Sequence, residues 1–237
     1  MRISDTPYEP KLASVASLIA EPTRARMLCY LLSGECASAG ELARAASVTP
    51  ATASGHLNKL IDAELLVCEQ RGRHRYFKLA DDEVAQALEA MALIAERRTH
   101  EKDWTTPTRS RLRFARCCYG HLAGKLGVEM LTQMLAKLWL TPTATGFQLT
   151  PEGMSALLAL GMDEDILNGM LSPPARVRIA YACLDWSERR DHIAGKLPKY
   201  LLEHFLKQGW LRRFDGERAL ELTPAGRQHL ADLLPAN

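Results

Sequence analysis

Two groups of side chains in this sequence have types and spacings suited to chemistry. The first lies in Val48-Thr49-Pro50-Ala51-Thr52-Ala53-Ser54-Gly55-His56-Leu57-Asn58-Lys59-Leu60 and in Gln70-Arg71-Gly72-Arg73-His74-Arg75. Thr49, Pro50, Thr52, Ser54, His56 and Lys59 are short, polar or cationic, the kind of surface that enters a major groove and meets base edges and phosphates. Arg71, Arg73, His74 and Arg75 gather around one glycine, a pattern suited to a phosphate backbone or a minor groove. The second group consists of thiols and imidazoles: Cys117, Cys118 and His121, and further on Cys183 and His192. These are soft donors for a metal ion, and paired thiols also support redox chemistry. Cys118 and His121 stand three apart, a spacing that on a helix puts them on one face.

The elements that must carry the first group can be read from local signals. Thr49 is a good N-cap, Pro50 suits the first helical position, and Ala53, Leu57 and Leu60 form a narrow apolar stripe. Upstream, Ala39-Gly40-Glu41-Leu42-Ala43-Arg44-Ala45-Ala46-Ser47 has the apolar spacing of a short helix, joined to the next by a tight turn. Together they make a helix-turn-helix. Downstream, Leu65-Leu66-Val67-Cys68-Glu69 and Tyr76-Phe77-Lys78-Leu79 read as strands of a hairpin with the arginines at its tip. A small-residue helix can also simply pack closely on a neighbour, and a charged turn can simply be solvated. The order helix, turn, helix, basic hairpin argues for a winged helix on DNA.

At this point the chain resembles a family, the ArsR/SmtB repressors. Ile19-Ala20-Glu21-Pro22-Thr23-Arg24-Ala25-Arg26-Met27-Leu28, with its acidic-Pro-Thr-Arg start, is similar to that family's leading helix. Thr49 to Leu60 resembles its recognition helix, and Arg71-Gly72-Arg73-His74-Arg75-Tyr76-Phe77-Lys78-Leu79 its wing. The likeness covers roughly residues 11 to 98. It implies a homodimeric repressor released from a double-stranded DNA operator by an inducer, often a metal or metalloid ion. It also places the dimer interface on the helices at residues 11–20 and 83–96, where Leu12, Val15, Ala16 and Ile19, and then Val84, Ala87, Leu88, Met91, Ala92 and Ala95, recur at helical spacing. Packing on the C-terminal half is the other use for those stripes. The family's two common metal sites do not carry over. Glu41-Leu42-Ala43-Arg44-Ala45-Ala46 lacks the two cysteines that one needs, and Val84 to Ala95 lacks histidine for the other. His100-Glu101, just beyond, is too little for a four-ligand sphere.

The chain has 237 residues, 47% of them hydrophobic and 24% charged, which suits folded domains and argues against disorder. A net charge of +2 means that any nucleic-acid footprint is a local patch, which the wing supplies. No apolar run approaches membrane-spanning length and Met1-Arg2-Ile3-Ser4-Asp5 is no signal sequence, so a cytoplasmic, non-membrane protein is expected. Six cysteines there would be mostly reduced thiols, and Cys29 reads as core packing.

The C-terminal half contains an internal repeat. Arg111-Leu112-Arg113-Phe114-Ala115-Arg116-Cys117-Cys118 recurs as Arg176-Val177-Arg178-Ile179-Ala180-Tyr181-Ala182-Cys183. His121-Leu122-Ala123-Gly124-Lys125-Leu126 recurs as His192-Ile193-Ala194-Gly195-Lys196-Leu197, Trp139 as Trp210, and Leu149-Thr150-Pro151-Glu152-Gly153 as Leu222-Thr223-Pro224-Ala225-Gly226. The second copy carries an insert, Trp186 to Asp191, that reads as a charged, solvated loop. The expected fold is therefore α+β, mainly α with small β wings. It comprises a winged helix-turn-helix and dimerisation domain over 1–100, a linker over 101–110 with a hinge near Trp104 to Pro107, and a module over 111–237. That module is read as two winged-helix-like repeats, 111–160 and 176–230, each with two helices, a short strand into Leu-Thr-Pro, and a helix from the proline. Leu126, Val128, Leu131, Leu135 and Leu138 are expected to form a buried stripe in the first copy, and Leu201, Leu202, Phe205 and Leu206 in the second.

Neither repeat has a recognition helix, so the module is expected to sense an effector, with Cys118, Tyr119, His121, Cys183, Trp186 and His192 as its candidate site. Three uses stay open for those residues: buried hydrogen-bonded histidines that only pack, a pocket for a small-molecule inducer, and a soft-metal or thiol-redox site. No resident cofactor is implied. An enzyme finds no phosphate-binding glycine loop, metal-protease pair or nucleophile elbow. A purely architectural DNA-binding protein would need no effector site.

Overall fold

The computed structural model describes residues 11–72, 74–98, 101–171, 177–214 and 217–234. Arg73 and His100 lie outside the described residues. The chain forms two compact units, Met1–Ala85 and Gln86–Asn237. Among the described residues no helix is long and apolar enough to cross a membrane.

In the first unit, α1 (Leu12–Ile19) leads to α2 (Pro22–Leu31), whose start is capped by Glu21 accepting from the N–H of Thr23 at 3.0 Å and of Arg24 at 2.9 Å. The Arg24 guanidinium donates to Ser17 O at 2.9 Å and ties the two helices together. After β1 (Ala37–Ser38), α3 (Ala39–Ala46) opens with a reciprocal capping box between Ser38 and Glu41 and ends at Ser47, which is left-handed at φ 58°. The chain then enters α4 (Pro50–Asp62), with Thr49 accepting from the Thr52 N–H and Pro50 at the first position. The wing is β2 (Leu66–Arg71) and β3 (His74–Leu79), antiparallel, with β1 on the far side of β3. Met27, Leu28, Leu31, Leu42, Leu57, Leu60, Leu66, Phe77 and Leu79 are the buried core. Cys29 is not part of it. It is exposed, because the inner face of α2 is taken by Arg24, Met27, Leu28 and Leu31 and position 29 turns away.

Helix α5 (Asp82–Ala95) begins in the first unit and continues into the second. The segment read as a linker is partly helical: Glu101–Trp104 is a 3-10 turn, and Pro107 starts α6 (Pro107–Phe114). At the place read as a hinge, the Trp104 ring stacks on Trp186 with centroids 5.7 Å apart.

The second unit is built from two copies of one plan. The first copy runs β4 (Arg116–Cys118), β5 (His121–Ala123), α7 (Lys125–Ala136), β6 (Leu140–Thr143), β7 (Gly146–Leu149) and α8 (Pro151–Ala159), followed by α9 (Glu164–Leu171). The second runs β8 (Tyr181–Leu184), β9 (Asp191–Ala194), α10 (Lys196–Lys207), β10 (Leu211–Arg213), β11 (Leu220–Leu222) and α11 (Pro224–His229). Each copy thus opens with a hairpin where a helix was expected, and Cys118 and His121 oppose one another across strands. The reason is the turn: Tyr119 at φ 48° and Gly120 at φ 90° are both left-handed, which suits a two-residue hairpin turn and interrupts a helix. Leu138 also departs from the expected stripe. It is exposed at φ 59°, just past the end of α7.

The copies interlock. Helix α7 packs on β9 and α10 on β5, the Phe147 N–H donates to Ala180 O at 2.9 Å, and at the equivalent position Leu220 N–H donates to Ala115 O at 2.9 Å. The Leu-Thr-Pro-x-Gly repeat has a packing cause. Thr150 and Thr223 cap the helices that follow and donate to the carbonyls of Trp139 and Trp210, while a Cβ on Gly153 or Gly226 would meet those same carbonyl oxygens at 2.2 and 2.1 Å. No side chain fits there.

Candidate functional site

The nucleic-acid face is assembled on α4 and the wing. Thr49, Pro50, Thr52, Ser54 and Lys59 are all exposed on α4. In the unbound chain the hydroxyls are engaged locally, Thr52 with Thr49 at 2.9 Å and Ser54 donating to Pro50 O at 3.0 Å. His56 is placed differently. Its side chain is only 19% exposed and its Nδ1 lies 3.2 Å from Glu21 Oε2, so it joins α4 to the start of α2. Partial burial raises the Glu21 carboxyl, but the N–H groups of Thr23 and Arg24, the Thr23 hydroxyl and His56 bring it down to about 2. On the wing, Arg71, His74 and Arg75 are exposed. Arg71 is held 3.0 Å from Glu69, and Arg75 Nε donates to the Cys68 sulfur at 3.2 Å.

The second site lies inside the C-terminal unit. Cys118 and His121 face each other across β4 and β5, and Cys183 and His192 across β8 and β9. The two hairpins come together so that one donor atom from each of the four residues lies within 4.8 Å of the others. The imidazoles meet Nε2 to Nε2 at 3.0 Å. Three of the four residues are buried and Cys183 is half-buried. Trp186 is close but outside this group, its ring covering the Arg116 guanidinium at 4.2 Å. Tyr119 sits at the hairpin tip with Lys199 Nζ 4.4 Å from its ring centre.

Sequence reasoning missed the two residues that hold the cluster from behind. Arg116 and Asp185 are fully buried and paired at 2.9 Å. Asp185 Oδ2 also accepts from the Gly124 N–H at 2.7 Å and lies 3.3 Å from His192 Nδ1, while Oδ1 accepts from the N–H groups of Ser187 and Glu188 and from the Ser187 hydroxyl. Burial alone would raise this carboxyl; His192, Arg116 and the Gly124 N–H hold it far below the ordinary range. The supposedly solvated insert is therefore anchored by a buried acid.

These contacts polarise the four residues. Burial lowers His192, but Asp185 and Cys183 outweigh it and bring the imidazole up to about 9. Burial and the neighbouring His192 push His121 down, against a raising contribution from Cys183. The two thiols act on each other, so that of Cys118 is raised, with burial adding to the rise, and that of Cys183 is lowered, with His121 and His192 adding to the fall. Glu89, a buried acid on α5 that pairs with Arg218 at 2.6 Å, also acts on Cys118. An open cleft of about 900 Å³ lies elsewhere in this unit, lined by Phe147, Met170, Val177 and Tyr181 among others, and contains none of the six effector candidates.

A recognition helix seated on a capped turn, followed by a basic two-stranded wing, defines a winged helix-turn-helix DNA-binding protein. The family described as "Helix-turn-helix domain" matches residues 19–69. The Bacillus subtilis protein named "Uncharacterized HTH-type transcriptional regulator YdfF" is 38% identical over 218 residues, 92% of this chain and 94% of its own, a span that takes in most of the repeat unit. The HTH-type transcriptional regulator CmtR of Mycobacterium tuberculosis is 39% identical over 80 residues, 34% of this chain and 67% of its own. The NMR structure of the cadmium metal-sensor CmtR from that organism is 35% identical, covers 34% of this chain and 82% of its own, and superposes with a TM-score of 0.30. The chain belongs to the ArsR/SmtB-type family of helix-turn-helix transcriptional regulators.

Proposed function

We propose that the protein is a cytoplasmic homodimeric repressor that grips a double-stranded operator with α4 and the wing and releases it when an effector occupies the Cys/His cluster of the C-terminal unit. The observation that carries this reading is the cluster itself: equivalent donors 65 and 71 residues apart in sequence converge on one buried point, with Arg116 and Asp185 built behind them. Histidines that only packed would need neither thiols nor a buried carboxylate. Glu89 supports a route outward, since it lies on α5, the helix that follows directly from the wing, and is charged toward Cys118. Two-fold assembly is supported by α1, which buries no residue and leaves Leu12 72% exposed. A ligand can shift the operator equilibrium only through different affinities for the bound and released states.

The test is the operator affinity of the full chain on duplexes enriched from a random pool. Lys59→Ala and Arg75→Ala should each weaken binding on every sequence and reduce the magnitude of the salt slope by about 1, as a lost phosphate contact does. Cys183→Ser should keep DNA binding and lose the response to effectors. A variant that still responds as the wild type does would remove the cluster from the reading. A thiol-redox switch is the second reading, favoured by the Cys118 and Cys183 sulfurs lying within 4.8 Å of each other; it requires release by a mild oxidant and recovery with a reductant.

A further inference from the structure

We infer that Cys118, His121, Cys183 and His192 form a closed, four-ligand site for one soft divalent d10 ion of the zinc or cadmium class, and that this ion is the effector. The second half of this statement rests on the reading above; the first stands on geometry alone.

The donor set is two sulfurs and two imidazole nitrogens, the combination that selects soft or borderline ions over magnesium or calcium. Tetrahedral bonds of about 2.0–2.1 Å to nitrogen and about 2.3 Å to sulfur place the nitrogens about 3.3 Å apart and the sulfurs about 3.8 Å apart. The two Nε2 atoms stand 3.0 Å apart and all four donors lie within 4.8 Å of one another, so changes in donor separation of about an ångström complete the sphere. The pseudo-symmetry supplies the shape. Each hairpin contributes one sulfur and one nitrogen from a directly opposed cross-strand pair, and β5 of one hairpin packs on β9 of the other. Without an ion the imidazoles point ring nitrogen at ring nitrogen, a contact that holds one proton at most between two buried bases. A metal uses both lone pairs.

Asp185 is placed as the carboxylate that orients a ligating histidine, 3.3 Å behind His192 Nδ1, and is itself fixed by Arg116, Gly124, Ser187 and Glu188. Two thiolates balance a dication, so a buried site filled this way stays neutral, which a monovalent ion would not achieve. Four protein ligands leave no open position for substrate, as in non-catalytic sites.

The experiment uses the reduced, metal-stripped full chain and cobalt(II) as a spectroscopic probe. Expected are one cobalt per chain, the intense visible absorption of a tetrahedral centre, a sulfur-to-cobalt charge-transfer band, and displacement by zinc and by cadmium. Cys118→Ser and Cys183→Ser, checked for folding by circular dichroism, should each weaken the charge-transfer band and lower zinc affinity by more than about 100-fold, above the loss typical of an orienting partner. A pale octahedral spectrum, or no uptake by protein whose thiols titrate as free, overturns the site. The DNA arm separates the two halves of the inference. Tetrahedral uptake with unchanged operator affinity keeps the site and overturns the effector role. Release of DNA by another agent from protein that takes up neither cobalt nor zinc overturns the site and leaves the regulatory reading standing.

Discussion

Arg116 and Asp185 are the pair on which the chemistry of the C-terminal unit turns. Both are fully buried, and the carboxylate serves four donors besides the guanidinium, which is how a buried ion pair becomes tolerable. Asp185→Asn retains the shape but leaves Arg116 charged and unbalanced. The expected cost is about 3–5 kcal/mol, read as a lowered midpoint in chemical denaturation of metal-free protein. If the carboxylate also orients His192, the same variant loses about 10- to 100-fold in zinc affinity by chelator competition. Unchanged stability would mean that Arg116 finds another partner.

At the scale of elements, the turn between helices is decided by caps. Glu21 accepts two N–H groups at the start of α2 and faces His56 of α4, so it links the leading helix to the recognition helix. Its folded pKa of about 2 lies below the ordinary 4.5, so its contribution to stability is complete above pH 4.5 and is lost as pH falls toward 2. Glu21→Gln should therefore be less stable than wild type at neutral pH, with the gap closing over that acid window in a pH series of denaturation curves. In the other unit, Gly226→Ala or Gly153→Ala drives a methyl into a tryptophan carbonyl. The expected destabilisation is about 1–3 kcal/mol or more, measured the same way.

For the whole molecule, the question is what covers the apolar surface that a single chain leaves bare. Leu12 and Val15 of α1 are exposed, as are Met91 and Ile94 of α5, at 42% and 56%. A two-fold partner laid along these helices would cover them and set two recognition helices on one face of a duplex. Met91→Glu with Ile94→Glu should halve the mass seen by light scattering and weaken operator binding. A dimer that survives both charges has its interface elsewhere.

The DNA-binding half was legible in the sequence because local signals decide it: Thr49 and Pro50 start α4, the apolar spacing of residues 39–47 gives α3, and Gly72 marks the wing. Each acts within a few residues, where composition and spacing speak directly. The repeat was also legible, down to the Leu-Thr-Pro-x-Gly block, although the packing of Gly153 and Gly226 against tryptophan carbonyls was not. The cluster was only half visible. Its four residues could be listed, but the spacing of Cys118 and His121 suggested a helix face, whereas Tyr119 and Gly120 fold them across a hairpin. Arg116, in a run of arginines, and Asp185, beside a charged insert, look like surface residues until the second hairpin buries each against the other. Their meeting is a non-local event, fixed by the way α7 and α10 cross over onto the opposite copy's strands. A sequence carries the ligands of such a site, and only the packing of one repeat on the other brings their lone pairs to a single point.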